Sequence, residues 1–214
     1  MRLLPAALCL LLFGAWLLPA EIIDRIAISV GNQVITESQI DDEIRVTAFL
    51  NQEKLNLDSA ERKKAAARLI DQSLVRREME LSRYPMPSLS DADEALKKIE
   101  AGYGTEAAYQ KALAAYGISS DGLKRRLWWQ ATFLRFVDFR FRPGIQIPDA
   151  DVQAYYQQQT AKWKQEGVPI PSLEDARVNI EQTLTEQRVD QAMDRWLAET
   201  RAQVAIKFRD ETLE

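Results

Sequence analysis

The sequence of 214 residues has no histidine, and its single cysteine, Cys9, lies in an apolar run at the start. Without His or Cys beyond residue 20 there is no zinc site of the usual kind, no imidazole-based triad and no disulfide framework. Cysteine avoidance suits an oxidising compartment. No glycine-rich loop of the phosphate-binding type occurs, so nothing implies a nucleotide or other cofactor. No long basic stripe stands out, and 28 basic residues are set against 32 acidic ones, which argues against a nucleic-acid partner. Internal repeats and low-complexity tracts are lacking too.

What is there is enough apolar material for a core: 46% of residues are hydrophobic and 28% charged, the balance of one globular domain or two small ones. Arg2 followed by an apolar run from Leu3 to Leu18, then Pro19 and Ala20, has the layout of a secretory signal, so residues 1–20 are expected to direct export and be removed. Left uncleaved, about eighteen apolar residues just suffice to cross a bilayer core of roughly 30 Å, and the protein would be anchored. Leu8 before Cys9 does not suit lipidation.

Residues 22–30 are rich in Ile and Val. Gly31 and Asn32 then supply a turn tolerating positive φ before Val34 and Ile35, which reads as a β-hairpin. Thr36 and Gln39 form a capping box for a helix over about 37–52, with Ile40, Ile44 and Ala48 inside. Asp58 or Ser59 caps a longer helix that turns Ala66, Leu69, Ile70, Ser73, Leu74, Arg77 and Leu81 to one side and ends before Pro85 and Pro87. Ser90 with Asp93 opens a third helix carrying Ala92, Leu96 and Ile99. Thr105 opens a fourth with Tyr109, Leu113 and Tyr116, stopped at Gly117 and Ile118 by a Schellman pattern. These four helices are expected to pack only against one another.

Ser119 and Ser120 lead into residues 121–141, where Trp128, Trp129, Phe133, Phe136, Phe139 and Phe141 interleave with arginines; this helix is apolar on more than one side. Pro143 and Gly144 stop it, and 145–147 reads as extended. Pro148 and Asp149 begin a helix with Val152, Tyr155, Tyr156 and Trp163. After a loop at 165–171, Ser172 and Asp175 open a last helix bearing Ile180, Leu184, Val189, Met193, Trp196 and Leu197. Val204, Ile206 and Phe208 then alternate as in a strand. Since a two-stranded unit is marginal in water, the terminal strand should pair with the hairpin. The expected fold is mainly α, a multi-helix domain over 21–210 closed by that pairing, with a helical core at 36–164, a loop at 165–172 and a final helix and strand at 173–209.

In that order the residues resemble the SurA family, periplasmic chaperones for outer-membrane proteins in Gram-negative bacteria. The opening Asp24-Arg25-Ile26-Ala27-Ile28-Ser29-Val30-Gly31-Asn32-Gln33-Val34-Ile35-Thr36-Glu37-Ser38-Gln39-Ile40 is similar to the family's start. Leu69-Ile70-Asp71-Gln72-Ser73-Leu74-Val75 resembles its second helix. Ile147-Pro148-Asp149-Ala150-Asp151-Val152-Gln153-Ala154-Tyr155-Tyr156 resembles the helix leading to a parvulin domain, and Trp196-Leu197 with Arg201-Ala202-Gln203-Val204-Ala205-Ile206-Lys207 resembles the closing helix and strand. Where relatives carry parvulin domains, this protein has only the loop at 165–171, and it has none of the histidines of a parvulin site.

The resemblance implies a periplasmic holdase that uses no ATP, is not an isomerase or other enzyme, and binds unfolded polypeptides such as outer-membrane proteins, with transient proximity to the membrane. An adaptor with one defined partner and a residual prolyl isomerase accessory are the alternatives. Trp128, Trp129, Phe133, Phe136, Tyr109, Tyr155 and Tyr156 are candidate client contacts, because aromatic side chains offer large contact areas. Each has a competing role as ordinary core. Tyr103, Tyr116 and Trp163 belong to the same aromatic sets, and Met79, Met86 and Met193 offer adaptable contacts. The acidic runs Asp41-Asp42-Glu43 and Asp91, Asp93, Glu94 read as helix-start carboxylates rather than as a catalytic pair or metal ligands.

Overall fold

The computed structural model describes residues 24–213, so the expected export signal lies outside the described residues. The fold is mainly helical, with a small antiparallel sheet. Strands β1 (Ile26–Val30) and β2 (Gln33–Thr36) form the hairpin, and β3 (Ile206–Phe208) pairs with the other edge of β1, giving the order β2-β1-β3. Gly31 takes φ 61° in the turn while Asn32 does not take a positive φ. The glycine N–H donates to the Ala205 carbonyl at 2.9 Å, which ties the turn to the C-terminal strand. The two ends of the described region thus close one small sheet, as the marginal stability of a lone hairpin requires.

Helix α1 (Glu37–Asn51) begins at the reciprocal Thr36–Gln39 capping box and buries Ile40, Ile44 and Ala48. Asp58, not Ser59, caps α2 (Ser59–Leu81), and its carboxylate accepts the Glu61 N–H at 2.9 Å. Ala65, Val75 and Met79 join Ala66, Ile70, Ser73 and Leu74 among the buried residues of α2; Arg77 and Leu81 are exposed, because near the end of the helix the core side passes to Val75 and Met79, and residues two positions from Met79 point the other way. The third helix starts differently from expectation. Ser88, not Ser90, caps a short 3-10 turn (Leu89–Ala92), from which α3 (Asp93–Gly102) continues without a side-chain cap. The prolines at 85 and 87 hold the backbone extended up to Ser88, so the first turn forms two residues early.

Thr105 caps α4 (Glu106–Tyr116), and the Schellman stop forms as expected: Gly117 N–H donates to Ala114 O and Ile118 N–H to Leu113 O. Gly117 has φ 66°, a conformation that favours glycine, and a Cβ there would also have to displace the Arg45 guanidinium lying against it. Ser119 caps α5 (Ser120–Phe141), Pro148 precedes α6 (Asp149–Glu166), and Ser172 caps α7 (Leu173–Gln203). Ile145 is extended, but residues 145–147 join no sheet.

The expectation that the first four helices pack only on one another is corrected: α2 also covers β1 and β2, since the sheet needs an apolar lid. Three apolar clusters result. The largest joins the sheet, α1, α2, Trp129 and Phe136 of α5, and Leu197 of α7. A second gathers Val46, Phe49, Tyr109, Leu113 and Leu123 between α1, α4 and α5. The third, built on Val152, Ala176 and Ile180, holds α6 against the first half of α7. At 31 residues, α7 is about 46 Å long at 1.5 Å per residue, which lets one helix serve both ends of the molecule.

Candidate functional site

Helix α5 carries most of the candidate aromatics, and the fold divides them by face. Phe136 and Trp129 point into the main core, 1% and 4% exposed. Tyr109 is as deeply buried; its hydroxyl hydrogen-bonds to the Ser120 hydroxyl at 3.1 Å, and burial raises its pKa. These three serve as core. Trp128 and Phe133 are half-buried, and the Trp128 indole N–H donates to the Pro87 carbonyl at 3.1 Å, spending its polar edge on the segment before α3. Tyr103 and Tyr116 pack around Phe49, with ring centroids 5.9 and 5.6 Å away, so that set forms a second core rather than a cradle.

Tyr155, Tyr156 and Trp163 are half-buried on the α6–α7 hairpin. Tyr156 packs edge-on to Trp163 and donates its hydroxyl to the Pro171 carbonyl at 2.7 Å, pinning the loop that follows α6. Tyr155 and Trp163, with Pro171, Ala176 and Ile180, line a shallow groove of about 280 Å³.

Among the described residues, the most exposed large aromatic lies outside the set of expected client contacts. Phe139 is 63% exposed near the end of α5, with its ring 5.5 Å from Tyr84, which packs edge-on against buried Phe136. Tyr84 also lines a groove of about 260 Å³ with Met79, Met86 and Arg76. Exposed Leu81 and Met86 flank Tyr84 in the sequence. The result is an aromatic and methionine surface on a rigid support: Phe136 below holds Tyr84, and Tyr84 holds Phe139. Among the methionines, only Met86 of the three considered is largely exposed; Met79 is buried and Met193 half-buried. Periodicity on α5 could not reveal this, because Phe136 and Phe139 lie on adjacent faces of a helix apolar on several sides.

Next to this surface lies an open cleft of about 800 Å³ between the hairpin, α1, α2 and α5. Arg76 lines both spaces. Its guanidinium sits over the Trp129 ring, 3.8 Å from the centroid, and makes no ion pair among the described residues. Partial burial lowers its pKa from the usual arginine range. On the cleft wall, Glu43 is 6% exposed and receives two arginines, Arg68 at 3.0 Å and Arg126 at 2.8 Å. This pairing joins α1, α2 and α5, so the Glu43 carboxylate is a structural hub and not simply a helix-start acid. The Nε of Arg126 is buried without a partner. Asp42 lies in the same cleft, where burial raises its carboxyl pKa and nearby Arg45 offsets part of that rise.

The other acidic run also makes helix-to-helix ties: Asp91 pairs with Arg135 at 2.9 Å and Asp93 with Lys124. Among the described residues no group of His, Cys, Asp and Glu is placed to hold a metal ion. Among them also no helix is long and apolar enough to cross a membrane.

No family model matches the sequence, and no curated protein matches it.

Proposed function

We propose that the protein is a non-enzymatic holdase of the SurA type, exported to the periplasm, which binds unfolded segments of outer-membrane proteins without nucleotide. The observation that carries this reading is the surface where half-buried Tyr84 joins exposed Met86 and Phe139, apolar side chains edged by Glu80 and Arg83 and seated on buried core. Exposed apolar area of this kind marks an interaction site. Methionine adapts to varied partners, and a pre-positioned aromatic ring loses little freedom on binding. The half-buried Tyr155 and Trp163 groove supplies a second weak contact elsewhere on the molecule, and two weak contacts on one client raise its effective affinity. Holding the client competes with its self-association, and release follows when the client folds or inserts.

The test is light scattering of a denatured outer-membrane β-barrel protein diluted into buffer with the purified protein. Suppression is expected, and Phe139→Ser combined with Met86→Ser should weaken it while leaving the circular dichroism spectrum unchanged. Capture of one native partner without any suppression would replace the holdase with an adaptor. Catalysed isomerisation of a prolyl peptide would replace it with an isomerase.

A further inference from the structure

The polar cleft beside the apolar patch has features the holdase reading does not use. Arg76 lies over Trp129 and Arg125 lines the same cleft; neither makes a close ion pair among the described residues, and the carboxylates that act on them from farther off are Glu80 for Arg76 and Asp42 for Arg125. Glu43 is already matched by two guanidiniums, so the lining keeps an excess of positive charge despite Asp42. Contact with the indole holds the Arg76 guanidinium in place beside the cleft, and a guanidinium's planar N–H fork suits a planar anion.

A second observation concerns the backbone. Gln33 and Val34 form one lip of the cleft, on β2, which is an outer strand of the sheet. Val30 and Gln33 flank the two-residue turn as a pair, and Val34 lies opposite Ser29. In an antiparallel ladder these pairs alternate, so the Val34 N–H and C=O turn away from β1 toward the open side. The Val34 side chain is 49% exposed as well. An unpaired edge beside fixed cations matches an extended polypeptide, which pairs through its backbone while an acidic group meets the arginines.

We infer that the cleft between β2, α2 and α5 binds an extended peptide strand bearing a carboxylate, the strand along Val34 and the carboxylate on Arg76 and Arg125. This rests on the holdase reading only in taking the ligand to be polypeptide. The terminal carboxylate of a peptide and an acidic side group offer the same chemistry. Because Arg76 borders both spaces, a client held on Phe139 can continue into the cleft, which would select segments that carry an anion next to an apolar stretch.

Fluorescence anisotropy of labelled nonapeptides of alternating valine and threonine tests the inference, using the purified protein and three probes. One ends in a free carboxylate, one in an amide, and one is amidated with a central aspartate. At least one acidic probe should bind about tenfold or more tightly than the neutral amide, the scale of a charge-assisted pair. Preference for the first alone assigns a peptide terminus, and preference for the aspartate probe assigns an acidic side group. Arg76→Gln should abolish the difference, Arg125→Gln should reduce it, and added salt should narrow it. Phe139→Ser should leave it intact. Equal affinity for all three probes, or an acid preference that survives both arginine substitutions in folded protein, overturns the inference; light scattering separately decides whether the protein is a holdase.

Discussion

The two ends of α7 belong to differently built regions. Its second half, with Met193, Trp196 and Leu197, adds to a core in which seventeen apolar residues are buried, from Ala27 in β1 to Leu213 after β3. Its first half packs on α6 and the segment just before it, around three buried residues, Val152, Ala176 and Ile180, with a rim of partly buried Ile147, Tyr155, Tyr156, Trp163, Leu173 and Leu184. Since each buried large aliphatic contributes about 1.5–3 kcal/mol, the first region is secured many times over and the second rests on a few contacts. One continuous helix thus joins a heavily buried platform to a lightly buried hairpin, and the lightly buried part is where local opening is expected first.

The largest expected effect comes from the platform. Phe136→Ala removes a fully buried ring that also supports Tyr84, and should cost about 3–5 kcal/mol, read as a lower urea midpoint with an unchanged slope. Next, Glu43→Ala leaves Arg126 and Arg68 facing an empty wall. A loss of about 2–4 kcal/mol is expected, and Glu43→Gln should recover part of it.

Val152→Ala should cost about 1–3 kcal/mol, but mostly within the hairpin. Hydrogen exchange is the measurement: amides of α6 and the first half of α7 should lose protection while β1 and α2 keep theirs. Uniform loss across both regions would mean that the hairpin opens only together with the platform. The smallest effect is electrostatic. Burial raises the Asp42 pKa above its ordinary 3.8, so the unfolded protein releases this proton at a lower pH than the folded one, and stability falls as pH rises past that value. Asp42→Asn removes this fall. The variant should be the more stable protein at neutral pH, with the difference closing below about pH 3.8 in urea titrations.

Local rules are legible wherever a few adjacent residues decide the outcome. Thr36 with Gln39, Thr105 and Ser172 cap the helices expected of them, because a cap is a bond between residues three apart, and of the two serines leading into α5 it is Ser119 that caps. Ser88 takes the place expected of Ser90 since two nearby serines compete for the cap, and the prolines before them decide. The candidate site is legible as a helix but not as a surface. Trp129, Phe136 and Tyr109 differ from Phe139 only in what other elements cover, and α5 is apolar on too many sides for periodicity to rank its faces.

By itself the sequence determined the order of helices and strands, the turn at Gly31, the stop at Gly117 and the pairing of the terminal strand with the hairpin. All of these follow from short-range backbone chemistry or from the instability of an isolated hairpin. That Phe139 and Tyr84 share a surface, that Glu43 meets arginines 25 and 83 residues away, and that Arg76 lies over Trp129 came from the tertiary structure alone. Such contacts depend on how distant helices are set against one another, which side-chain volumes across the whole core determine together and no local pattern records.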